Sequence, residues 1–264
     1  MAFEAPIYHF DNILDTYGFT ITSEAAGYPK ENLVDFRPWT YWMPTSTATQ
    51  YLVVDKGAAG ISTDCLSILG HDLFTQGAHI EVQQDTVSNF TSPTTLVTDF
   101  AVASNDPTMV VFASAGTERY IRIIISNLSA ACYIAVIFLG EKMVIPVGPE
   151  FGYDPDRQKI EAEKFLSYTG QFLSSSIRFS ERRVMIEYRN IAQSFVASDL
   201  LAFLEDHYGA MKPFFLAPDP GNVYGTDKIY YLSAPEHPEL RMPTTRFNIE
   251  KRNWTFIGEG VKQT

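Results

Sequence analysis

The sequence predicts a mainly β protein: a β-sandwich over residues 1–147, followed over 148–264 by a strand-dominated α+β domain with one clear helix. Three observations carry this. From Gln50 to Gly140, short β-branched and aromatic runs recur between Gly, Asp, Asn, Ser and Pro, at the spacing of an all-β sandwich or barrel. A turn-rich Ile-Pro-Val-Gly-Pro then follows Val144 and suits a domain boundary. Beyond it, only the stretch from Ser198 to Gly209 shows the apolar stripe of a helix.

In chain order, the first distinctive block is Asn32 to Trp42. It sets Asp35 and Pro38 beside Trp39, Tyr41 and Trp42, a mixture too irregular for a helix and too bulky for a flexible loop. Such a block plugs one end of a sandwich. The three aromatics are also the candidate ligand surface, because an indole or phenol ring stacks on the apolar face of a pyranose while nearby polar groups bind its hydroxyls. Closing the core is the other role open to them.

The strand runs are Tyr51–Asp55, Ile61–Leu69, Ala78–Gln83, Thr95–Val102, Met109–Ala113, Tyr120–Ser126 and Tyr133–Leu139. In the sixth, alternation places Arg122 on an otherwise apolar face with Tyr120 and Ile124. A carboxylate such as Asp55 or Asp64 is its expected partner, with snorkelling at a sheet edge as the alternative. In the second domain, Phe165–Phe179 carries Gly170 and three serines, and Arg182–Asn190 reads as a strand. Ser198 reads as the N-cap of a helix that buries Leu200, Leu201, Phe203, Leu204 and Tyr208 and stops at Gly209. Strands follow at 212–217, 229–232 and 246–257.

Composition narrows the function. With 45% hydrophobic and 14% aromatic residues, the 264-residue chain has ample core material. Its net charge of -11, without a Lys/Arg cluster, argues against nucleic acid. Six basic and 15 acidic residues precede position 147, against 14 and 16 after it. The longest apolar run, Ala130–Gly140, falls far short of the roughly 20 residues a membrane-spanning helix requires, so no membrane insertion is expected. Cys65 and Cys132 sit in apolar strand-like segments and read as buried free thiols of a protein made in a reducing compartment.

Motifs for chemistry are missing. No close ligand spacing announces a metal, although His71 and His79 flank a turn with Asp72 and Glu81 nearby. No nucleophile elbow or phosphate-cradling loop appears, so no cofactor and no turnover are expected. A glycosidase needs two opposed carboxylates; Asp154 with Asp156, or Asp219 with Asp227, are the nominations, in turn-forming surroundings.

The order Asn32–Trp42, Tyr51–Gly57 ending in Asp55-Lys56-Gly57, Arg119-Tyr120-Ile121-Arg122, then the apolar 134–140 resembles discoidin-like, galactose-binding-like sandwiches. Asp64 and Gly70-His71-Asp72-Leu73 are similar to a strand and turn of such modules in phage tail proteins, with Asp72 where Asn is usual. The second half, closing on Asn253-Trp254-Thr255-Phe256, resembles the ring-forming domain of distal tail and baseplate proteins of tailed phages. That resemblance implies a structural component of a phage tail tip or baseplate, made in the host cytoplasm and residing in the virion. Its partners would be copies of itself, other tail-tip proteins and a host surface glycan, with Phe214 and Phe215 at the assembly interface. A free carbohydrate-binding protein is the alternative, and a polysaccharide hydrolase the third reading.

Overall fold

The computed structural model describes residues 5–58, 60–148, 158–218, 228–235 and 251–261. The chain forms two compact units: one runs from Tyr8 to Met143, and the other takes in Ile7 and the chain from Val144 onward. The sequence puts the division four residues later and gives the whole N-terminus to the sandwich. Instead, the sandwich unit begins inside the first short strand.

The Tyr8–Met143 unit is an antiparallel two-sheet sandwich. Strand β1 (Ile7–His9) crosses into it and is followed by α1 (Ile13–Tyr17), β2 (Phe19–Ile21) and a 3-10 turn (Lys30–Val34). Then come β3 (Gln50–Asp55), β4 (Cys65–His71), β5 (His79–Asp85), β6 (Thr94–Ala101), β7 (Thr108–Val111), β8 (Tyr120–Ser126) and β9 (Ile134–Gly140). These seven are the seven runs the sequence predicts. One sheet has the order β2-β3-β8-β5-β6 and the other β7-β4-β9.

Alternation decides what each sheet buries. In β8, Ile121, Ile123 and Ile125 enter the core and meet Leu52, Val54, Ile80 and Val82 from their own sheet, with Leu66, Ile68, Ile137 and Leu139 from the facing one. Strand β9 is buried along its full length, because Phe36 and His9 pack edge-on against Phe138 on its outer side.

One end of the sandwich is tied by polar contacts to the N-terminal segment. Asn12 caps α1 by accepting from the Leu14 amide, gives its own amide to the Ile137 carbonyl, and accepts from the Leu139 amide. Asp11 takes the Glu141 amide. The chain therefore enters and leaves the sandwich near Gly140. The opposite end, where β9 begins and β4 finishes, is left to long loops.

Beyond β10 (Lys142–Val144), the second unit holds β11 (Gln158–Leu166), β12 (Phe172–Ala192), helix residues 193–208, β13 (Phe214–Ala217), β14 (Tyr230–Leu232) and β15 (Lys251–Val261). Sequence reading breaks β12 in two; it is one strand of 21 residues. It pairs with β11 on one edge and, over Glu181–Ala192, with β15 on the other.

The helix starts five residues before the predicted Ser198 cap. Ser198 lies inside it, its hydroxyl donating back to the Ser194 carbonyl, so it bonds an acceptor instead of capping donors. Much of the helix is wound as a π-helix, as in the Gly209 amide donating to the carbonyl of Leu204 five residues back. Leu200, Phe203, Leu204 and Tyr208 are buried as predicted, and Leu201 faces out. Gly209 is the C-cap.

Candidate functional site

The loop end of the sandwich is built around the 30–42 block. Asp35 holds the turn: its Oδ1 accepts the Arg37 amide at 2.9 Å and its Oδ2 the Thr40 hydroxyl at 2.6 Å. Phe36, inside this turn, adopts a left-handed φ of 63° and turns its ring onto Phe138. Asn32 donates to the Tyr41 carbonyl at 2.8 Å, and Trp42 forms a two-bond bridge with Ile134. The block is thus stitched to both itself and β9.

Gly70 gives it room. Its φ is +62°, and a Cβ there would come within 2.9 Å of the Ala135 Cβ and 3.5 Å of the Pro38 carbonyl oxygen. Only glycine meets both demands where the block crosses the sheet. Next to it, Asp72 accepts the Tyr133 amide at 2.8 Å and the Gln76 side chain at 2.8 Å, fixing the loop that carries Tyr133.

The three aromatics singled out in the sequence part company. Trp42 is fully buried, its indole N–H donating to the Ser23 carbonyl at 3.0 Å. Trp39 is 73% exposed. Tyr41 stacks on Tyr28 with ring centroids 4.9 Å apart and planes 16° from parallel, and meets Tyr133 at 5.2 Å. The hydrogen bond with the Tyr28 hydroxyl, ahead of desolvation, raises the pKa of Tyr41, which stays a neutral donor at physiological pH. The result is a half-exposed tyrosine ladder beside a projecting indole. Sequence reading misses Tyr28 and Tyr133, which lie outside the block and join it only through the fold; Tyr28, between Gly27 and Pro29 in a turn, is the more readable of the two.

The Arg-Tyr-X-Arg strand is read correctly as a strand but its partners differ. Asp55 pairs bidentately with Arg119, at 2.7 and 2.8 Å, and also accepts the Gly57 amide, which holds its carboxyl down at about 2. Asp64 pairs with Lys142. Arg122 therefore takes neither carboxylate: its Nε and Nη2 both donate to the amide oxygen of Gln83, directly opposite it on β5. Lys56, within the same Asp-X-Gly motif, is buried and donates to the carbonyls of Ile61 and Gly116; burial lowers its ammonium to about 8.

Elsewhere the nominated residues stay apart. His71 is buried against the Asp106 carbonyl, and desolvation lowers its pKa; His79 pairs with Asp99 at 2.7 Å. Among the described residues no group of three or more His, Cys, Asp or Glu is placed to hold a metal ion. Phe214 and Phe215, expected at an assembly interface, are fully buried, with Phe214 edge-on to Phe203 at 5.2 Å and Phe215 against Tyr231 at 5.0 Å. Strand β13 is apolar because it is core, so it offers no free interface. Asp154, Asp156, Asp219 and Asp227 lie outside the described residues.

No family model matches the chain, and no curated protein matches it. Among solved structures it is similar to a GH29 fucosidase from Ruminococcus gnavus in complex with fucose, at 18% identity and a TM-score of 0.42, covering 51% of this chain and 28% of that one. It is also similar to chitosan-binding module 1 from a chitosanase/glucanase of Paenibacillus sp. IK-5, at 16% identity and TM-score 0.41, covering 50% and 100%. A third is the CBM32 of AlyQ in complex with 4,5-unsaturated mannuronic acid, at 19% and 0.39, covering 50% and 96%. Two of the three are carbohydrate-binding modules. This chain spans only about a quarter of the fucosidase's length.

Proposed function

We propose that the Tyr8–Met143 unit is a carbohydrate-binding module that captures a saccharide at its loop end without turning it over. The observation that carries this is Trp39, an indole 73% exposed on a loop that Asp35 pins from within. An apolar ring held in water by a rigid turn is a stacking platform awaiting an apolar face, and its ordering cost is already met by the fold. The phenols of Tyr28, Tyr41 and Tyr133 add hydroxyls that donate to or accept from sugar hydroxyls. A platform open on one side binds weakly, and multivalent display raises its avidity. A glycan array followed by NMR titration of the best ligand tests this. The expected result is millimolar-range binding that Trp39→Ala removes; binding to no glycan, or binding indifferent to Trp39→Ala, overturns it.

A second reading, a ring-forming component of a phage tail tip or baseplate located in the virion, draws support from a different observation. Ile160, Phe165, Leu166, Phe172, Leu173 and Ile177 are all exposed on the β11–β12 hairpin, with Tyr168 fully exposed at its tip. Phe165 and Leu166 are adjacent, as are Phe172 and Leu173, so both faces of the ribbon are apolar. A two-stranded ribbon is marginal in water and its open edges invite pairing. A standard interface covers roughly 800 Å2 on each partner. The occupant argued for is a second copy of this chain. Light scattering of the full chain is expected to show an oligomer that Leu173→Glu with Ile177→Glu dissolves. A wild-type monomer at micromolar concentration overturns it.

A further inference from the structure

The outer face of the five-stranded sheet holds a cation that forms no ion pair among the described residues. Arg122 lies between two rings, its guanidinium carbon 4.3 Å from the Phe90 centroid and 5.4 Å from that of Tyr51. Both donors on its Nε side go to one amide oxygen, Gln83 Oε1. The neighbouring carboxylates have other duties: Asp55 holds Arg119, Asp85 holds the amides of Val87 and Ser92, and Glu81 takes the Thr95 hydroxyl and the Gln83 amide. A guanidinium has five N–H groups, and the pair at its far end, one from each terminal nitrogen, forms the fork that fits a carboxylate. Among the described residues that fork is unused, and Nη1 makes no hydrogen bond and is open to solvent.

The setting is built. The two amides bonded to Asp85 close the loop 86–92, and that loop presents Phe90 in a left-handed conformation, φ 50°, over the guanidinium. Two rings and one amide hold the guanidinium in a single plane, so little rotamer freedom remains to be lost on binding. Tyr51, 40% exposed, supplies an adjoining ring on the open face.

We propose that this face is a second ligand site, separate from the Trp39 platform, that takes a carboxylate-bearing saccharide. The carboxylate accepts two hydrogen bonds from the far fork of Arg122, and the pyranose lies against Tyr51. A sugar fits better than an acidic peptide because the exposed neighbour is a flat ring and the flanking groups, Gln83, Glu81 and Thr95, suit hydroxyls.

The test is NMR and calorimetric titration of the full chain with tetragalacturonate and with the uncharged tetragalactose. Tetragalacturonate is expected to bind at least 10-fold more tightly and to move the signals of Tyr51, Arg122 and Gln83. Tyr51→Ala, on an exposed ring, and Arg122→Lys, which keeps the charge and loses the fork, are each expected to lower that affinity at least 5-fold while the fold persists. Trp39→Ala is expected to leave it unchanged, so failure here and failure of the loop-end reading are told apart. Equal affinity for the two sugars overturns the proposal, as do signal changes confined to the loop end or a tetra-aspartate peptide that binds this face as tightly.

Discussion

Trp39 and Trp42 stand three positions apart and end on opposite sides of the protein surface, the first 73% exposed and the second fully buried. The Asp35 turn and the Trp42–Ile134 bridge set the orientation between them. Removing each ring should therefore have opposite consequences. Trp42→Ala is expected to cost about 3–5 kcal/mol of stability, through the cavity it leaves and the unpaired Ser23 carbonyl, and Trp39→Ala less than about 0.5 kcal/mol. Urea unfolding followed by far-UV circular dichroism measures both.

Gly70 is a second point where one side chain decides the loop end. Gly70→Ala forces a Cβ to within 2.9 Å of Ala135 at a φ that disfavours it, and should cost about 1–3 kcal/mol. Because the Pro38 carbonyl lies on the same side, the variant should also weaken any ligand bound at Trp39. Parallel unfolding and titration experiments read the two effects.

Acid should destabilise the protein well above the range where carboxylates titrate. Burial foremost, with Lys142 adding to it, lowers His9 from 6.5 to about 3, and burial also lowers His71 and His207. Each folded-state pKa lies below its unfolded value, so the unfolded chain takes up protons first. The stability from keeping these rings neutral is full above about pH 6.5 and is lost as pH falls, for His9 down to about 3. The slope is about 1.4 kcal/mol per pH unit for each proton taken up. Urea midpoints between pH 7 and 4 should fall accordingly, and His9→Gln should flatten the profile.

The thiols should be inert. Cys65 and Cys132 are both buried and unpaired, and desolvation pushes each up to about 12. A thiol reagent at pH 8 is expected to label neither in the native protein and both once it is unfolded. Rapid labelling of the native chain would contradict the burial.

Much of the sandwich was legible because its information is local. Seven runs between turn residues become seven strands, and the alternation in β8 correctly sets Tyr120, Arg122 and Ile124 apart from Ile121 and Ile123, although the core lies on the isoleucine side and the face that carries Arg122 is the outer one. Gly209 was legible as a helix stop for the same reason. Ser198 misled because a serine hydroxyl is satisfied inside a helix as well, by donating to a carbonyl four residues back, and the helix actually begins where β12 ends.

Partners were not legible. The pairing of Arg122 with Gln83 is set by the antiparallel register of β8 and β5, which brings together residues 39 apart in the chain. Which aromatic in the Asn32–Trp42 block is core, and that Tyr28 and Tyr133 join Tyr41, depends on how the block crosses β9. Apolar character alone placed Phe214 and Phe215 at a surface, where the fold buries them and leaves the β11–β12 ribbon exposed. By itself the sequence determined the strands and the mainly β class, because short-range sterics and period-two hydrophobicity act within a few residues. Only the tertiary structure decided which rings and charges meet water, since burial is a property of the neighbours a residue acquires from distant parts of the chain.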